Sequence, residues 1–176
     1  MTETAPPDTV LPETGIDPTH FRRVLGEFST GVVVVTSIQP DGIPIGMAVG
    51  SFSSVSLTPP LVAFFVAHSS TTFPRIADTG RFCANILSHD QIDVCKSFSR
   101  SGGDKFDGVD WAPSPSGVPV LSGVHGWIDC TISSVQRLGD HDLVVGQVEE
   151  LDANGSDRSP LVFYRSGFHS IHPRSA

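Results

Sequence analysis

The chain has 176 residues, which is enough for one domain with a substantial buried core. Apolar residues make up 39% of it and charged residues 17%, so the composition excludes a disordered chain and a coiled coil. The formal net charge is -8 and no stretch is rich in lysine and arginine, which argues against nucleic acid or an anionic membrane as a partner.

Cysteine usage and hydropathy indicate a soluble protein of the cell interior. The three cysteines, Cys83, Cys95 and Cys130, are too few and too scattered for a disulfide framework or a zinc site. The longest apolar run, Leu61–Ala67, is far too short to span a bilayer, and the polar first residues do not resemble a signal peptide. We therefore expect a cytoplasmic protein.

The N-terminal part predicts an arm followed by a helix. Residues 1–15 lack a periodic apolar face and are expected to form a flexible arm before a single domain at 16–172. Asp17 as N-cap and Pro18 in the first turn predict a helix start, and Gly31 its end. Apolar residues at helical spacing predict that one face of this helix packs on the core; they are Phe21, Val24, Leu25 and Phe28.

The rest of the chain is dominated by strand patterns. Runs of strand length between turn residues predict about seven or eight strands, at 32–38, 45–50, 61–67, 81–87, 127–135, 143–151, 161–165 and 168–171. A short helix is expected at 73–78, and Ser88-x-x-Gln91 predicts a capping box that begins another, to about Phe98. Residues 99–117 form a long loop, a feature that is usually functional or mobile. The pattern favours a mainly β protein closed into an antiparallel barrel.

Sequence motifs exclude several classes of enzyme. The sequence contains no P-loop, no GxGxxG, no HExxH and no GxSxG, and its seven histidines show no convincing metal-ligand spacing. We therefore expect no metal site. Chemistry carried by an organic cofactor remains, because a protein that transfers a hydride between cofactors needs no nucleophile of its own.

Two segments at strand ends are rich in small and hydroxyl side chains, Gly46–Ser56 and His68–Thr72. Small side chains let the backbone approach a planar ring, while hydroxyls and helix-start amides bind phosphate without lysine or arginine. Either segment alone also fits ordinary turns and helix caps, where serine and threonine are common.

Six blocks of sequence in a characteristic order carry a resemblance to a known family; they are Phe21–Thr36, Ser51–Val62, Gly80–Leu87, Lys105–Trp111, Gly139–His141 and Pro160–Arg165. Together they resemble the flavin reductase-like proteins with an FMN-binding split barrel, and most closely the small reductase components of two-component flavin-dependent monooxygenases. The resemblance implies an antiparallel Greek-key split β-barrel with two or three flanking helices. It also implies a homodimer that reduces FAD or FMN with NADH or NADPH and supplies reduced flavin to a separate monooxygenase.

The same resemblance implies where the flavin binds. The segment expected to line the isoalloxazine ring and ribityl chain consists of Met47, Ala48, Val49, Gly50, Ser51, Ser53 and Ser54. The segment expected to meet the flavin phosphate includes Ser69, Ser70 and Thr71. Lys105 and Phe106 are expected near the cofactor, and Tyr164 and Arg165 are expected to close the site from the last hairpin.

Two further residues have competing interpretations. Asn85 lies among apolar residues of a predicted strand and either binds flavin or pairs with backbone groups. His141 follows the Gly139-Asp140 turn; the resemblance implies that it borders the nicotinamide, as the catalytic residue, and the alternative is an exposed hairpin tip without a task.

Two other functions remain as rivals. A pyridoxamine phosphate oxidase would share the split barrel but needs several basic residues for a second phosphate, and no basic cluster is evident at the flavin-like segments. A non-catalytic flavin- or haem-binding module is the alternative from another class. The sequence does not decide whether FAD or FMN is the preferred flavin. Its shortage of arginine slightly favours NADH over NADPH as the nucleotide.

Overall fold

A computed structural model describes residues 15–154 and 157–171. The predicted arm at 1–15 therefore lies outside the described residues except for Gly15, and residue 172, the predicted end of the domain, also lies outside them.

The described chain forms three helices and twelve strands in the following order: α1 Pro18–Leu25, β1 Thr30–Gly31, β2 Val33–Ile38, β3 Pro44–Val49, β4 Ser53–Leu57, β5 Pro60–Ala67, α2 Phe73–Thr79, β6 Arg81–Ile86, α3 Ile92–Ser99, β7 Trp111–Pro113, β8 Pro119–Leu121, β9 Gly126–Leu138, β10 His141–Ala153, β11 Leu161–Tyr164 and β12 Gly167–Ser170. Strands dominate, and every pairing between them is antiparallel.

Seven strands make the main sheet, in the order β3-β2-β6-β9-β10-β5-β4. The sheet curls on itself: β3 and β5 contact each other although four strands, β2, β6, β9 and β10, lie between them in the sheet. No pairing joins the end strands β3 and β4 within the described residues, so the barrel is split there, and β1-β11-β12 and β7-β8 form two smaller sheets. The expected antiparallel split barrel with flanking helices is confirmed.

Two apolar clusters lie on opposite faces of β2, because its side chains alternate in direction. Val33 and Val35 point into the barrel, where Phe64 and Phe82 are fully buried. Gly146 belongs to this interior, since a Cβ atom there would lie 2.5 Å from the Phe82 ring.

The second cluster lies outside the barrel, where α3 and the loop after it cover the sheet. Val34, Phe98 and Phe106 are buried in it. Strand β3 reaches this layer at Gly46, where a Cβ atom would lie 2.7 Å from the Phe98 ring. The packing of α3 on the edge strand β3 thus requires glycine at this position.

Helix α1 begins as predicted and differs from the prediction in two ways. The Asp17 carboxylate accepts a hydrogen bond from the His20 backbone N–H at 2.7 Å, and Pro18 occupies the first turn. The helix ends at Leu25, with Gly26 as its C-cap, and not at Gly31. The prediction that its apolar stripe faces the core is wrong: Phe21, Val24, Leu25 and Phe28 are all at least half exposed.

Other element boundaries also differ from the prediction. Strand β4 was not expected, and the long loop at 99–117 contains the short strand β7. Only half of the predicted capping box forms: the Ser88 N–H donates to the Gln91 side-chain oxygen at 3.0 Å, and α3 then begins at Ile92. His141 is the first residue of β10 and not part of the turn before it.

Candidate functional site

Three adjoining cavities lie along the edge strand β3. The hairpin cavity, about 240 Å³, is lined by Val32, Ala48, Val49, Gly50, Cys95, Ser99, Phe163 and Phe168. The hydroxyl cavity, also about 240 Å³, is lined by Met47, Ala48, Ser69, Ser70, Thr71, Thr72, Phe98, Ser99, Arg100, Ser101 and Lys105. The arginine cavity, about 360 Å³, is lined by Ile43, Pro44, Ile45, Gly46, Thr71, Thr72, Arg75, Gly102, Gly103, Asp104, Lys105 and Phe106.

These cavities adjoin one another along β3, because neighbouring ones share lining residues, and the three together are called the groove. Ala48 and Ser99 line both the hairpin cavity and the hydroxyl cavity. Thr71, Thr72 and Lys105 line both the hydroxyl cavity and the arginine cavity. Each smaller cavity is below the roughly 300 Å³ at which pockets for small molecules usually begin, whereas the groove as a whole is well above it.

The structure brings the two segments singled out in the sequence to the same place. Strand β3 contributes Met47 and Ala48 to the hydroxyl cavity, and the loop between β5 and α2 contributes Ser69–Thr72. The Ser70 hydroxyl also accepts a hydrogen bond from the N–H of Phe73, the first residue of α2, at 3.1 Å, while Thr72 is the N-cap residue. Part of this segment therefore has the structural task of holding the chain at the start of the helix.

Lys105 fixes the loop after α3 against the groove. Its ammonium donates hydrogen bonds to the carbonyl oxygen of Gly46 at 3.1 Å, to the hydroxyl of Thr72 at 3.2 Å and to the carbonyl oxygen of Phe98 at 3.3 Å. Partial burial, and after it the nearby charge of Arg75, lower the pKa of Lys105 below its ordinary value. The cation thus stands in the wall between the hydroxyl and arginine cavities.

Phe106 lies beside Lys105 and belongs to the core. Its ring makes edge-to-face contacts with Phe98 at 4.9 Å and Trp111 at 6.3 Å between centroids. It reaches only the arginine cavity. Its main task is to anchor the loop, which places Lys105 at the groove.

Three of the predicted serines do not line the groove as the structure describes it. The Ser51 hydroxyl donates to the Phe65 carbonyl oxygen at 3.1 Å and accepts from the Phe65 N–H at 2.9 Å. It therefore joins the segment after β3 to β5, across the split of the barrel. Ser53 and Ser54 lie on the exposed end strand β4.

Asn85 is fully buried in β6 and is saturated by the protein itself. Its side-chain nitrogen donates to the Val34 carbonyl oxygen at 3.2 Å and to the Thr36 hydroxyl at 3.0 Å. Its side-chain oxygen accepts from the Leu121 N–H at 2.8 Å. Of the two interpretations of Asn85, the geometry favours pairing with the backbone, which ties β8 to the barrel.

The last hairpin contributes residues next to those expected from the sequence. The Arg165 guanidinium forms an ion pair with Glu27 at 2.7 Å, and the Tyr164 hydroxyl donates to the same carboxylate at 3.1 Å. The hydrogen bond from Arg165 lowers the pKa of Glu27. The side chains of this hairpin that line the groove are Phe163 and Phe168.

His141 lies where β10 begins, opposite Ala67 at the end of β5. Its Nδ1 atom is 2.7 Å from the Asp140 carboxylate, and this hydrogen bond lowers the pKa of Asp140. A second histidine–carboxylate pair is adjacent: His68 Nε2 lies 3.0 Å from the Asp142 carboxylate, and the His68 N–H donates to the Asp140 carbonyl oxygen. The turn that carries His141 is thereby bonded to the chain that leads into Ser69–Thr72.

Several groove residues were not expected from the sequence, notably Arg75, Ser99, Arg100 and Ser101. Helix α3 carries the last three to the hydroxyl cavity by packing on β3, a contact that no local motif reveals. The sequence shows no basic cluster at the flavin-like segments, but the fold places Arg75, Arg100 and Lys105 at the cavities beside them.

Among residues 15–154 and 157–171, no cluster of three or more His, Cys, Asp or Glu side chains is placed to hold a metal ion. The same part of the chain has no helix long and apolar enough to cross a membrane. Cys83, Cys95 and Cys130 are free and buried, and burial raises the pKa of each thiol.

An antiparallel split barrel with a ligand-sized groove along its edge strand defines the class of protein. Residues 25–172 match the family model described as the flavin reductase like domain. The chain is 52% identical over 153 residues to the flavin reductase of Pseudomonas putida, which covers 87% of this chain and 89% of that protein. This chain belongs to the flavin reductase-like family.

Solved structures agree with this assignment. Nitrilotriacetate monooxygenase component B from Mycobacterium thermoresistibile is similar with a TM-score of 0.86 at 42% identity, over 90% of this chain and 88% of that one. The NADH:FAD oxidoreductase SgcE6 from Streptomyces globisporus, in complex with NAD and FAD fragments, is similar with a TM-score of 0.85 at 32% identity, over 91% of this chain and 96% of that one.

Proposed function

We propose that this NAD(P)H-dependent flavin reductase takes FAD or FMN in the groove along β3, reduces it with NADH, and releases the reduced flavin to a separate monooxygenase component. The adjacency of the hairpin and hydroxyl cavities, which share Ala48 and Ser99, carries the proposal, because together they offer one surface for a ring and one for a phosphate. The family membership and the names of the relatives support the same activity.

The residues of the groove fit a flavin. Ala48, Val49 and Gly50 present small side chains and backbone groups to the hairpin cavity, where a flat ring would lie against Phe163 and Phe168. Hydroxyls of Ser69 and Thr71 and the guanidinium of Arg100 line the hydroxyl cavity, which suits the phosphate. The bound flavin supplies the site that accepts the hydride, and the protein supplies position and charge.

The role of His141 is to orient the nicotinamide. Its ring is held by Asp140 and is 44% exposed, so the other ring nitrogen can bind a ligand. The bonds of His68 to Asp140 and Asp142 join the turn before His141 to the start of the hydroxyl-rich segment Ser69–Thr72. A dinucleotide held at His141 would therefore be positioned relative to the flavin by one connected piece of backbone.

We further propose that the protein is a homodimer. Helix α1 has a marked apolar stripe and no buried residue, so the stripe has no partner among the described residues. Phe28 at its end is 74% exposed. Glu27 links this helix to the hairpin that lines the groove, so a second copy covering α1 would stand next to the flavin site.

The three free, buried thiols suit a reducing compartment, which supports a cytoplasmic location. The domain is proposed to span 16–172. The relative named monooxygenase component B supports a monooxygenase as the partner that receives reduced flavin.

The decisive test is NADH oxidation followed at the nicotinamide absorbance band with FAD, FMN or no flavin. The expected result is rapid turnover that requires flavin, with reduced flavin transferred to an added monooxygenase component. NADPH in place of NADH identifies the preferred nucleotide. No turnover with either flavin and either nucleotide would overturn the proposal and favour a module that only binds flavin.

A further inference from the structure

The arginine cavity exceeds what a mononucleotide needs. A flavin ring in the hairpin cavity and its phosphate in the hydroxyl cavity leave the arginine cavity empty, although it is the largest of the three at about 360 Å³. It begins at the phosphate end of the groove, where Thr71, Thr72 and Lys105 form the shared wall. A ligand that continues beyond the first phosphate and past Lys105 would reach it, because the two cavities adjoin there.

The charges at this cavity favour an anion. Arg75 and Lys105 both line it, and the charge of Arg75 is, after partial burial, a cause of the lowered pKa of Lys105. Asp104 is the one carboxylate among the residues that line it, and it already accepts a hydrogen bond from the Phe106 N–H at 2.9 Å. The site thus has an excess of positive charge in a chain with a net charge of -8.

The geometry of Arg75 leaves its guanidinium available. Its Nε donates to the Gln39 side-chain oxygen at 2.8 Å, which fixes the direction of the side chain. Among the described residues this is the one hydrogen bond of the guanidinium, so its terminal nitrogens can donate to a phosphate. Ile43, which is half exposed, and Pro44 also line the cavity and offer an apolar surface for a planar base.

We propose that the arginine cavity binds the adenosine monophosphate half of FAD, with Arg75 as its phosphate ligand, and that FAD is therefore the preferred flavin. The inference rests on the proposed binding of flavin in the groove. It assigns the second phosphate to Arg75 and the adenine to the apolar surface at Ile43. FMN fills the other two cavities and gains nothing from this one.

The test compares Arg75→Gln with Arg81→Gln in equilibrium titrations of FAD and FMN, followed by the quenching of flavin fluorescence. Arg81 is an exposed arginine at the start of β6 and lines none of the three cavities, so it controls for the loss of one charge. Arg75→Gln is expected to raise the Kd of FAD relative to that of FMN by roughly tenfold or more, because one charge-assisted hydrogen bond is lost. Arg81→Gln is expected to leave the ratio unchanged.

A second variant changes an apolar residue that lines the cavity. Ile43→Asp places a negative charge at an exposed position, so it is compatible with folding, and it is expected to weaken FAD more than FMN by repelling the second phosphate. An unchanged ratio of Kd values in both Arg75→Gln and Ile43→Asp would overturn the proposal.

The adenosine half of NADH is the rival occupant, and the same variants exclude or reveal it. If NADH used this cavity, Arg75→Gln would raise the KM for NADH measured with FMN, and that result would also overturn the proposal. Failure of the proposed function would give a different result: the unaltered protein would not oxidise NADH with either flavin. The ratio of the Kd values of FAD and FMN would still show whether Arg75 contributes to FAD binding.

Discussion

The Lys105 ammonium lies 3.1 Å from the carbonyl oxygen of Gly46, and this hydrogen bond joins the loop after α3 to the edge strand of the barrel. Gly46 is also where the Phe98 ring packs on β3, and a side chain at this position would clash with that ring. Lys105 therefore holds the loop at the same point at which α3 approaches the strand. The groove depends on this contact because the loop forms the wall opposite the strand.

Lys105→Met is expected to loosen the groove. The variant keeps most of the aliphatic stem but removes three hydrogen bonds, and the partial exposure of the group limits the expected loss of unfolding free energy to about 1–2 kcal/mol. The Kd of both flavins should rise, because Lys105 lines the hydroxyl cavity, and that of FAD should rise further because Lys105 also lines the arginine cavity. Lys96→Met, on the exposed face of α3, is the matched control. Urea titrations and flavin titrations that show no difference between the two variants would contradict this role.

Asn85→Ala is expected to destabilise the fold without a specific effect on flavin binding. Removal of the amide leaves the buried Leu121 N–H without its partner, at a cost of about 1–3 kcal/mol. Urea unfolding measures the loss, and Gln147→Ala, an exposed amide on β10, gives the reference. Turnover per folded molecule should equal that of the unaltered protein at a temperature where both are folded. A selective rise in the flavin KM would instead show that Asn85 contacts the cofactor.

The sequence predicted the elements whose signals are local. Asp17 and Pro18 start α1 as expected, since an N-cap acts within one turn. The direction of the α1 stripe was not predictable, because an apolar helix face looks the same whether it meets its own core or another chain. Strand β4 was missed because its residues are largely exposed and give no apolar run.

The site was predicted where one chain segment forms it and missed where packing assembles it. Ser69–Thr72 follow a recognisable strand and precede a helix, so their position was readable from order alone. Arg100 reaches the same cavity only because α3 lies against β3, and that contact depends on Gly46 accepting the Phe98 ring. Long-range packing of this kind has no local signature.

Alkaline pH is expected to destabilise the protein through its buried thiols. Burial, and then the charge of Asp129, raise the pKa of Cys83 from 9.0 to about 12. The native state therefore keeps a proton that the unfolded chain releases, so the stabilisation is complete below pH 9 and is lost as the pH rises towards 12. Each such thiol contributes a slope of up to about 1.4 kcal/mol per pH unit. Urea unfolding between pH 8 and pH 11 should show a shallower decline for Cys83→Ala, and an identical decline would contradict the assignment.

His141→Ala is expected to raise the KM for NADH by roughly 5- to 10-fold, the size of one lost hydrogen bond, while flavin affinity changes little. The reason is position, since His141 lines neither flavin cavity and is joined to the start of Ser69–Thr72 only through the bond from His68 to Asp140. Steady-state kinetics at saturating flavin measure the effect, and His89→Ala, an exposed histidine distant from β10 in sequence, serves as control. Equal KM values for NADH in the two variants would show that His141 does not contribute to nicotinamide binding.

Val24→Glu is expected to convert the proposed homodimer into monomers. Val24 lies on the exposed stripe of α1, and a carboxylate there would be buried without a partner at the interface. Thr19→Glu places the same charge on the opposite side of the helix and near its N-terminus, where an acidic residue is favourable, so that variant should remain dimeric. Sedimentation equilibrium distinguishes the two states.

The kinetic consequence of separating the subunits follows from the position of α1. Because Glu27 at the end of α1 binds Arg165 on the hairpin that carries Phe163 and Phe168, loss of the partner would free the hairpin at the flavin-ring end of the groove. Flavin Kd should then rise in Val24→Glu and not in Thr19→Glu. A dimer that survives Val24→Glu would place the interface elsewhere on the barrel and leave the stripe of α1 without a role in the flavin site.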